Sequence, residues 1–379
     1  MTQLADWLHR EIAANGPMPV SDYMTHCLLH EAHGYYTSTP VFGAEGDFIT
    51  APEISQLFGE MLAAFHTHLH QLFGAPTDCL TFEAGPGRGT LAKDMRTAYR
   101  AIAPHLHQAP CYLLEASPQF QQAQAAALAP DVPTFITDLS DLPAKPLFGV
   151  ANEFFDALGV NQAIYHQGTW HERLIHSQEG QFAFMIGAPL QDGHPMRQSS
   201  NLPPAPEEGD IIEHSPHGEA IMTQLSTHIA YQGGGILIID YGKPDNQGDS
   251  LQAVKDHKPA DILSYQGEAD ITHWVDFARL SQIAHQCGAR LIGPVAQGRF
   301  LQDVGIGTRA EALRDPANPA GDRALLAAID RLVSPAQMGH AFKVALLVPD
   351  GEGFPPGFAS LEDASLEDAN PENDKFESA

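Results

Sequence analysis

Two stretches of the chain carry residues whose types and spacing suit chemistry. The first is Glu83-Ala-Gly85-Pro-Gly87-Arg-Gly89-Thr90, set between an apolar run and a helical pattern. Glycines at Gly85, Gly87 and Gly89 allow a tight turn with no Cβ in the way, so a ligand can press against backbone amides. The spacing is GxGxG, not the GxGxxG of dinucleotide sites, and Glu83 stands two residues before the first glycine. A carboxylate there repels a pyrophosphate but suits a cationic α-amino group. Those features favour S-adenosyl-L-methionine as cofactor over NAD. A bare glycine turn with incidental acids is the bland alternative. Glu115 closes the next apolar run, where a carboxylate can accept both hydroxyls of a ribose. Asp138 follows the third run and is placed to reach an adenine amino group, with Asp141 as the alternative.

The second stretch is Asn152-Glu153-Phe-Phe-Asp156, directly after the apolar run Leu147–Ala151. In an α/β sheet this loop faces the transferable methyl group. Methyl transfer is a displacement at carbon, and the enzyme chiefly aligns nucleophile and leaving group. Glu153 and Asp156 could clamp a guanidinium, which prefers carboxylates in bidentate geometry. Alternatively Asn152 and Asp156 cap a helix start and the phenylalanines are core. Tyr241, at the end of another apolar run, lines the same edge or belongs to a structural turn. Glu213-His-Ser-Pro216 and Asp270-Ile-Thr272 read as helix caps. His66, His68 and His70 lack the intervening Glu of an HExxH metal site and read as solvated helix surface. No metal is expected.

The elements needed to position these residues are visible as pattern. Cys79–Ala84, Cys111–Leu114, Thr134–Thr137, Leu147–Ala151, Gly235–Ile239, Leu291–Val295 and Phe342–Val348 predict seven strands. Helical stretches alternate with them, as in a parallel α/β sheet. Residues 1–75 predict a helical N-terminal region. Its apolar stripe from Ile54 to Phe73 is opened by a Thr50/Glu53 capping box, and a Gly43–Asp47 loop precedes it. Residues 160–230 break the rhythm with an antiparallel meander (Gln162–His166, Thr169–His176, Gln181–Ile186) and predict an inserted substrate-side subdomain. Residues 76–159 and 231–349 are the two parts of the core. Residues 350–379 hold nine acidic residues and one Lys, and predict a disordered tail.

Composition narrows the partners. With 20 Lys and Arg against 47 Asp and Glu among 379 residues, the formal charge is −27. Such a surface repels phosphate backbones and excludes nucleic acid as a natural partner, while it steers a basic protein inward. Four Cys without CxxC spacing suggest reduced thiols in a cytosol. No apolar run approaches the roughly 20 residues that span a bilayer, so membrane insertion is not expected. The first 20 residues resemble neither a signal nor a transit peptide, which points to a bacterial cytoplasm.

Taken together, the sequence resembles the MidA family of class I methyltransferase-like proteins. The resemblance is carried by Gly34-Tyr-Tyr36, Gly46-Asp-Phe-Ile-Thr-Ala-Pro-Glu-Ile-Ser-Gln56, Phe58-Gly-Glu60, Glu83–Leu91, Glu115-Ala-Ser-Pro118, Asn152–Leu158 and Ile239-Asp-Tyr-Gly242. Gly248–Ala253 and Gly267–Thr272 also fit, while Gly159 stands where Pro is expected and would loosen its loop. The resemblance implies a Rossmann-like α/β fold with a seven-stranded sheet and S-adenosyl-L-methionine as cofactor. It further implies protein arginine N-methyltransferase activity on a respiratory complex I subunit or similar protein. It marks Gly46–Gln56 as a lid or wall over the cofactor, which brings Thr50, Pro52 and Glu53 into the cofactor site, with Ser117 beside Glu115. A non-catalytic assembly chaperone that keeps a cofactor pocket, or a small-molecule N- or O-methyltransferase, are the competing readings. Monomer and homodimer both stay open.

Overall fold

The computed structural model describes residues 2–38, 50–198, 202–242, 248–351, 355 and 357–358. The Gly43–Asp47 loop, the 46–49 part of the expected lid and nearly all of the acidic tail lie outside the described residues.

Seven strands form the central sheet: β1 (Leu80–Ala84), β2 (Cys111–Leu114), β3 (Thr134–Ile136), β4 (Leu147–Asn152), β5 (Gly234–Tyr241), β6 (Ala289–Ala296) and β7 (Phe342–Pro349). Their order is β6-β7-β5-β4-β1-β2-β3. All neighbouring pairs from β5 to β3 are parallel, and β7 is antiparallel to both β5 and β6. The mostly apolar composition of β4, β5 and β7 follows from burial on both faces. Alternation sorts their side chains. Phe148, Val150, Leu237, Ile239, Val344 and Leu346 enter one core, which helices Gln56–Leu72 and Thr90–Ile102 cover. Leu147, Ala151, Ile236, Ile238, Ala345 and Leu347 enter the other, under helices Pro216–Gln232 and Phe277–Gln286. The order of strands reverses at β1 and β4, so a crevice opens outside their carboxyl ends.

A second body sits over that edge. The expected meander is present as Asn161–His166, Thr169–Gln178 and Gln181–Pro189. Two further strands join it: Ile211–His214, and the two-residue strand Met18–Pro19, which pairs with Leu174 and Ile175. A separate three-stranded sheet is built from Gln252–Lys255, Lys258–Ala260 and Asp270–Thr272. Asp270–Thr272 is therefore a strand and not the expected helix cap. Helices Gln3–Asn15 and Val20–Leu29 share one apolar cluster with Val160, Ile175, Ala253 and Ile271. The expected helical unit 1–75 is thus divided: residues up to 38 pack with the insertions, and Gln56–Leu72 packs on the sheet.

Three local expectations need correction. The capping box does not form. Thr50 makes no side-chain cap, the turn Ala51–Ile54 is separate, and Ser55 caps the long helix by accepting from the Leu57 amide at 3.2 Å. His66 and His70 are buried, not solvated. His66 bridges the Tyr99 hydroxyl (2.7 Å) and the Gly149 carbonyl (3.1 Å), and burial lowers its pKa to about 4. Gly159 does not loosen its loop; a Cβ there would lie 2.5 Å from the Ser21 carbonyl, so glycine is what lets the loop pack on helix Val20–Leu29.

Candidate active site

One cavity of about 1090 Å³ opens at the carboxyl ends of β1, β2, β4 and β5. Each strand delivers its last residues there through the sheet's own hydrogen bonds. The Gly85 amide donates to Leu114, the Glu115 amide to Ile136, and the Glu153 amide to Ile239. Gly85, Gly87 and Gly89 all have positive φ, at 63°, 50° and 78°. They differ in what surrounds them. A Cβ on Gly87 would meet nothing within 4 Å; one on Gly85 would strike the Phe154 ring at 2.8 Å. Gly89 precedes the helix and backs onto Gln124 at 3.3 Å.

Of the residues expected to contact a cofactor, Thr50, Pro52, Glu53, Glu83, Gly85, Gly87 and Glu115 line the cavity. Gly89 and Ser117 do not. Ser117 caps helix Pro118–Leu128 and gives its amide to Glu115 at 2.7 Å. Asp138 also lies outside the lining; its carboxylate accepts from the Ser140 amide at 2.8 Å to cap a short turn, and Thr137 is the residue of that segment that reaches the cavity. Glu53 pairs with Arg88 of the glycine turn at 3.3 Å, which ties the 51–54 turn to the loop it was expected to cover.

The donor set fits a cation with a diol. Glu83 Oε2 is buried with no hydrogen-bond partner. Glu115 accepts one bond on each oxygen, from Ser117 and from Gln124 (2.9 Å), which leaves a lone pair on each oxygen. Gln124, fully buried, also donates to the Gly87 carbonyl at 2.7 Å and so couples the glycine turn to Glu115. Sequence reading missed it because nothing in its helix sets it apart from the neighbouring glutamines.

Asn152, Glu153, Asp156 and Tyr241 line the same cavity. Asp240 explains their placement. One oxygen accepts the amides of Phe154, Phe155 and Asp156 at 3.0–3.3 Å, and the other accepts that of Tyr241 at 3.0 Å. Asp240 therefore supplies the capping that sequence assigned to Asn152 and Asp156, and its signal was a lone charge inside an otherwise apolar strand. Asn152 and Asp156 are freed to face the cavity, each with a buried Oδ1 that has no partner. Glu153 adopts φ 49°, a region sparsely used by residues with a side chain, and accepts from Asn152 (3.1 Å) and the Ala51 amide (3.4 Å). The Tyr241 hydroxyl is engaged by Thr272 and by Gln252. Glu213, read as a cap, is instead half-buried and holds Gln162 and Ser250. Ser215 does cap its helix.

Burial raises the carboxyl of Glu83 to about 8 and that of Glu153 to about 7. Burial, then Asp240, raises Asp156; burial also lifts Asp240, and its four amide donors oppose this. A carboxyl whose pKa is raised on folding stabilises the fold below its unfolded value, here 4.5, and that contribution is lost as pH rises through the folded value. Thermal melts of the ligand-free protein should therefore show Tm falling between about pH 5 and 8. Glu83→Gln should flatten the fall. An unchanged slope in that variant would mean Glu83 is ionised throughout.

Comparison with known proteins gives the family, the fold and the cofactor. Residues 61–295 match the family model described as "Putative S-adenosyl-L-methionine-dependent methyltransferase". The chain is 34% identical to the protein arginine methyltransferase NDUFAF7 homolog, mitochondrial, of Drosophila melanogaster, over 91% of this chain and 85% of that one. It is 31% identical to the protein arginine methyltransferase NDUFAF7, mitochondrial, of Homo sapiens, over 92% and 84%. A crystal structure from Burkholderia thailandensis bound to S-adenosyl-homocysteine superposes with TM-score 0.82 at 28% identity, covering 94% of each chain.

Proposed function

The chain belongs to the S-adenosyl-L-methionine-dependent methyltransferases, and from that premise we propose that it methylates arginine side chains of a protein substrate. The observation that carries the acceptor is Asp156 Oδ1, a buried carboxylate oxygen with no partner, at the cavity wall that also bears Glu153 and Asn152. An unpaired acceptor in such a place is costly unless a donor arrives with the substrate. A guanidinium brings five N–H donors and a permanent charge. The relatives named protein arginine methyltransferases are consistent with this acceptor.

The cofactor would be held by Glu83 and Glu115 and by the backbone of Gly85 and Gly87. When bound, it supplies an electrophilic methyl group on a sulfonium. Glu153 and Asp156 hold the guanidinium by charge-assisted hydrogen bonds and draw its positive charge away from the attacking nitrogen. The proton released by that nitrogen passes to whichever carboxylate is ionised. Asn152 Oδ1 offers a further acceptor, and Asp240 keeps the loop in register by binding its amides. The cavity is larger than a cofactor alone needs. That supports a protein side chain, reaching in with its backbone outside, as the acceptor.

Among the described residues no helix is long and apolar enough to cross a membrane. The free thiols are consistent with a reducing compartment; the animal relatives are named mitochondrial. A complex I subunit is the first protein to test, from the resemblance to the MidA family. The purified chain, incubated with methyl-labelled S-adenosyl-L-methionine and lysate from a deletion strain, should label one or a few proteins, and acid hydrolysis should release methylarginines. Label recovered only in small molecules, or only as methyl-lysine, would overturn the assignment.

A further inference from the structure

We infer that Asp270, held by the hydroxyl of Tyr36, is a third acceptor-binding carboxylate that determines the preference for a cationic substrate. The inference rests on the guanidinium reading above and adds a residue from outside the central sheet. Asp270 begins the last strand of the three-stranded sheet, and with Thr272, Gln252 and Val254 it lines the cavity that also holds Glu153 and Asp156. It therefore comes from a different wall than the loop after β4. It is buried, and it lies near enough that its charge raises the carboxyls of both Glu153 and Asp156.

Bringing one more carboxylate to a cluster of them is unfavourable unless a cation is expected there. Specific contacts hold it in place. The Tyr36 hydroxyl donates to Asp270 Oδ1 at 2.9 Å across 234 residues of sequence. Gly267, three residues before, lies so close to the His33 carbonyl that a Cβ would come within 2.1 Å. The 33–36 segment and the 267–270 segment are thus packed as a unit, and Tyr36 orients the carboxylate. The independent sign of a ligand is Asp156 Oδ1, buried and unpartnered in the same cavity. A planar guanidinium with donors on two edges can meet Asp156 on one side and Asp270 on the other, whereas a neutral acceptor gains nothing from the second charge.

The test uses the full-length protein and two bisubstrate probes: adenosine bearing a 5′ tether that ends in a guanidinium, and its neutral twin ending in urea. Calorimetry gives the affinity of each, and S-adenosyl-homocysteine affinity reports the cofactor end separately. The wild-type protein should prefer the guanidinium probe by about tenfold or more, the scale of a hydrogen bond between charged groups. Asp270→Asn keeps the size and the bond from Tyr36 but removes the charge. It should cut the preference by about tenfold while S-adenosyl-homocysteine affinity stays within about twofold. Tyr36→Phe should lower the preference by about threefold, and it decides the matter if the Asp270 variant does not fold. Preference retained in the folded variants would overturn the role of Asp270 and leave the guanidinium reading standing. A wild-type protein with no preference would overturn that reading, and this inference with it.

Discussion

Gly85→Val should abolish measurable binding of S-adenosyl-homocysteine while leaving a folded protein. The position has φ 63°, where a β-branched residue is strained by roughly 1–3 kcal/mol. Its Cβ would also lie 2.8 Å from Phe154 Cδ2, and the ring must then move. Phe154 lines the cavity and belongs to the loop that Asp240 holds by three amides, so the disturbance reaches both ends of the site. Relief comes either by flipping the glycine turn, which destroys its cradle of amides, or by pushing Phe154 into ligand space. Either costs at least about 2.7 kcal/mol of binding, or a hundredfold. Gly87→Ala is the informative contrast. Nothing lies within 4 Å of its Cβ, so the methyl fits without moving Phe154 and disturbs the turn only through the strain of φ 50°. It should weaken binding with a smaller loss of Tm than Gly85→Val. Calorimetric titration and thermal melts of the two variants distinguish these routes, and wild-type affinity in Gly85→Val would place the cofactor elsewhere.

The difference between these two glycines also shows what sequence could and could not reveal. The motif between a strand and a helix identified a turn built for close approach, and β1, β4, β5 and β7 were legible because burial on both faces makes them mostly apolar. Contacts between distant segments were not legible. Tyr36 and Asp270 are separated by 234 residues, and no local rule connects them. The sheet that carries Asp270 has strands of three and four residues, one with Pro259, too short for a period to register. Met18–Pro19 became a strand only because Leu174 and Ile175 offer it an edge. His66 and His70 were misplaced for the opposite reason. Their helix shows a clean apolar stripe, but its far side is covered too, and His66 is accepted there by a buried tyrosine and a strand carbonyl. Asp138 and Thr50 match plausible local roles, and the fold uses Asp138 as a turn cap and leaves the Thr50 side chain uncapping.

Glu153→Gln and Asp156→Asn should each lower methyl transfer to a protein acceptor by around a hundredfold, about 2.7 kcal/mol of transition-state stabilisation. Affinity for S-adenosyl-homocysteine should hardly change. Both substitutions preserve size and hydrogen bonding, so the loss measures charge. For Asp156 the argument is the unpartnered Oδ1 in a buried wall: its amide twin keeps an acceptor there but takes away the charge that the guanidinium meets. For Glu153 the two bonds from Asn152 and the Ala51 amide fix one oxygen and leave the other for substrate. The pH profile adds an independent reading. Glu153 is raised to about 7 by burial, and only its ionised form attracts a guanidinium. Transfer should therefore rise with pH through about 7 in the wild-type protein and lose that limb in Glu153→Gln, where the group no longer titrates. A structural role would lower activity at every pH alike and keep the limb. Should the Glu153→Gln, Asp156→Asn double variant lose all transfer yet restore complex I assembly in a deletion strain, the essential activity is binding, and the carboxylates serve a docking site for arginine without chemistry.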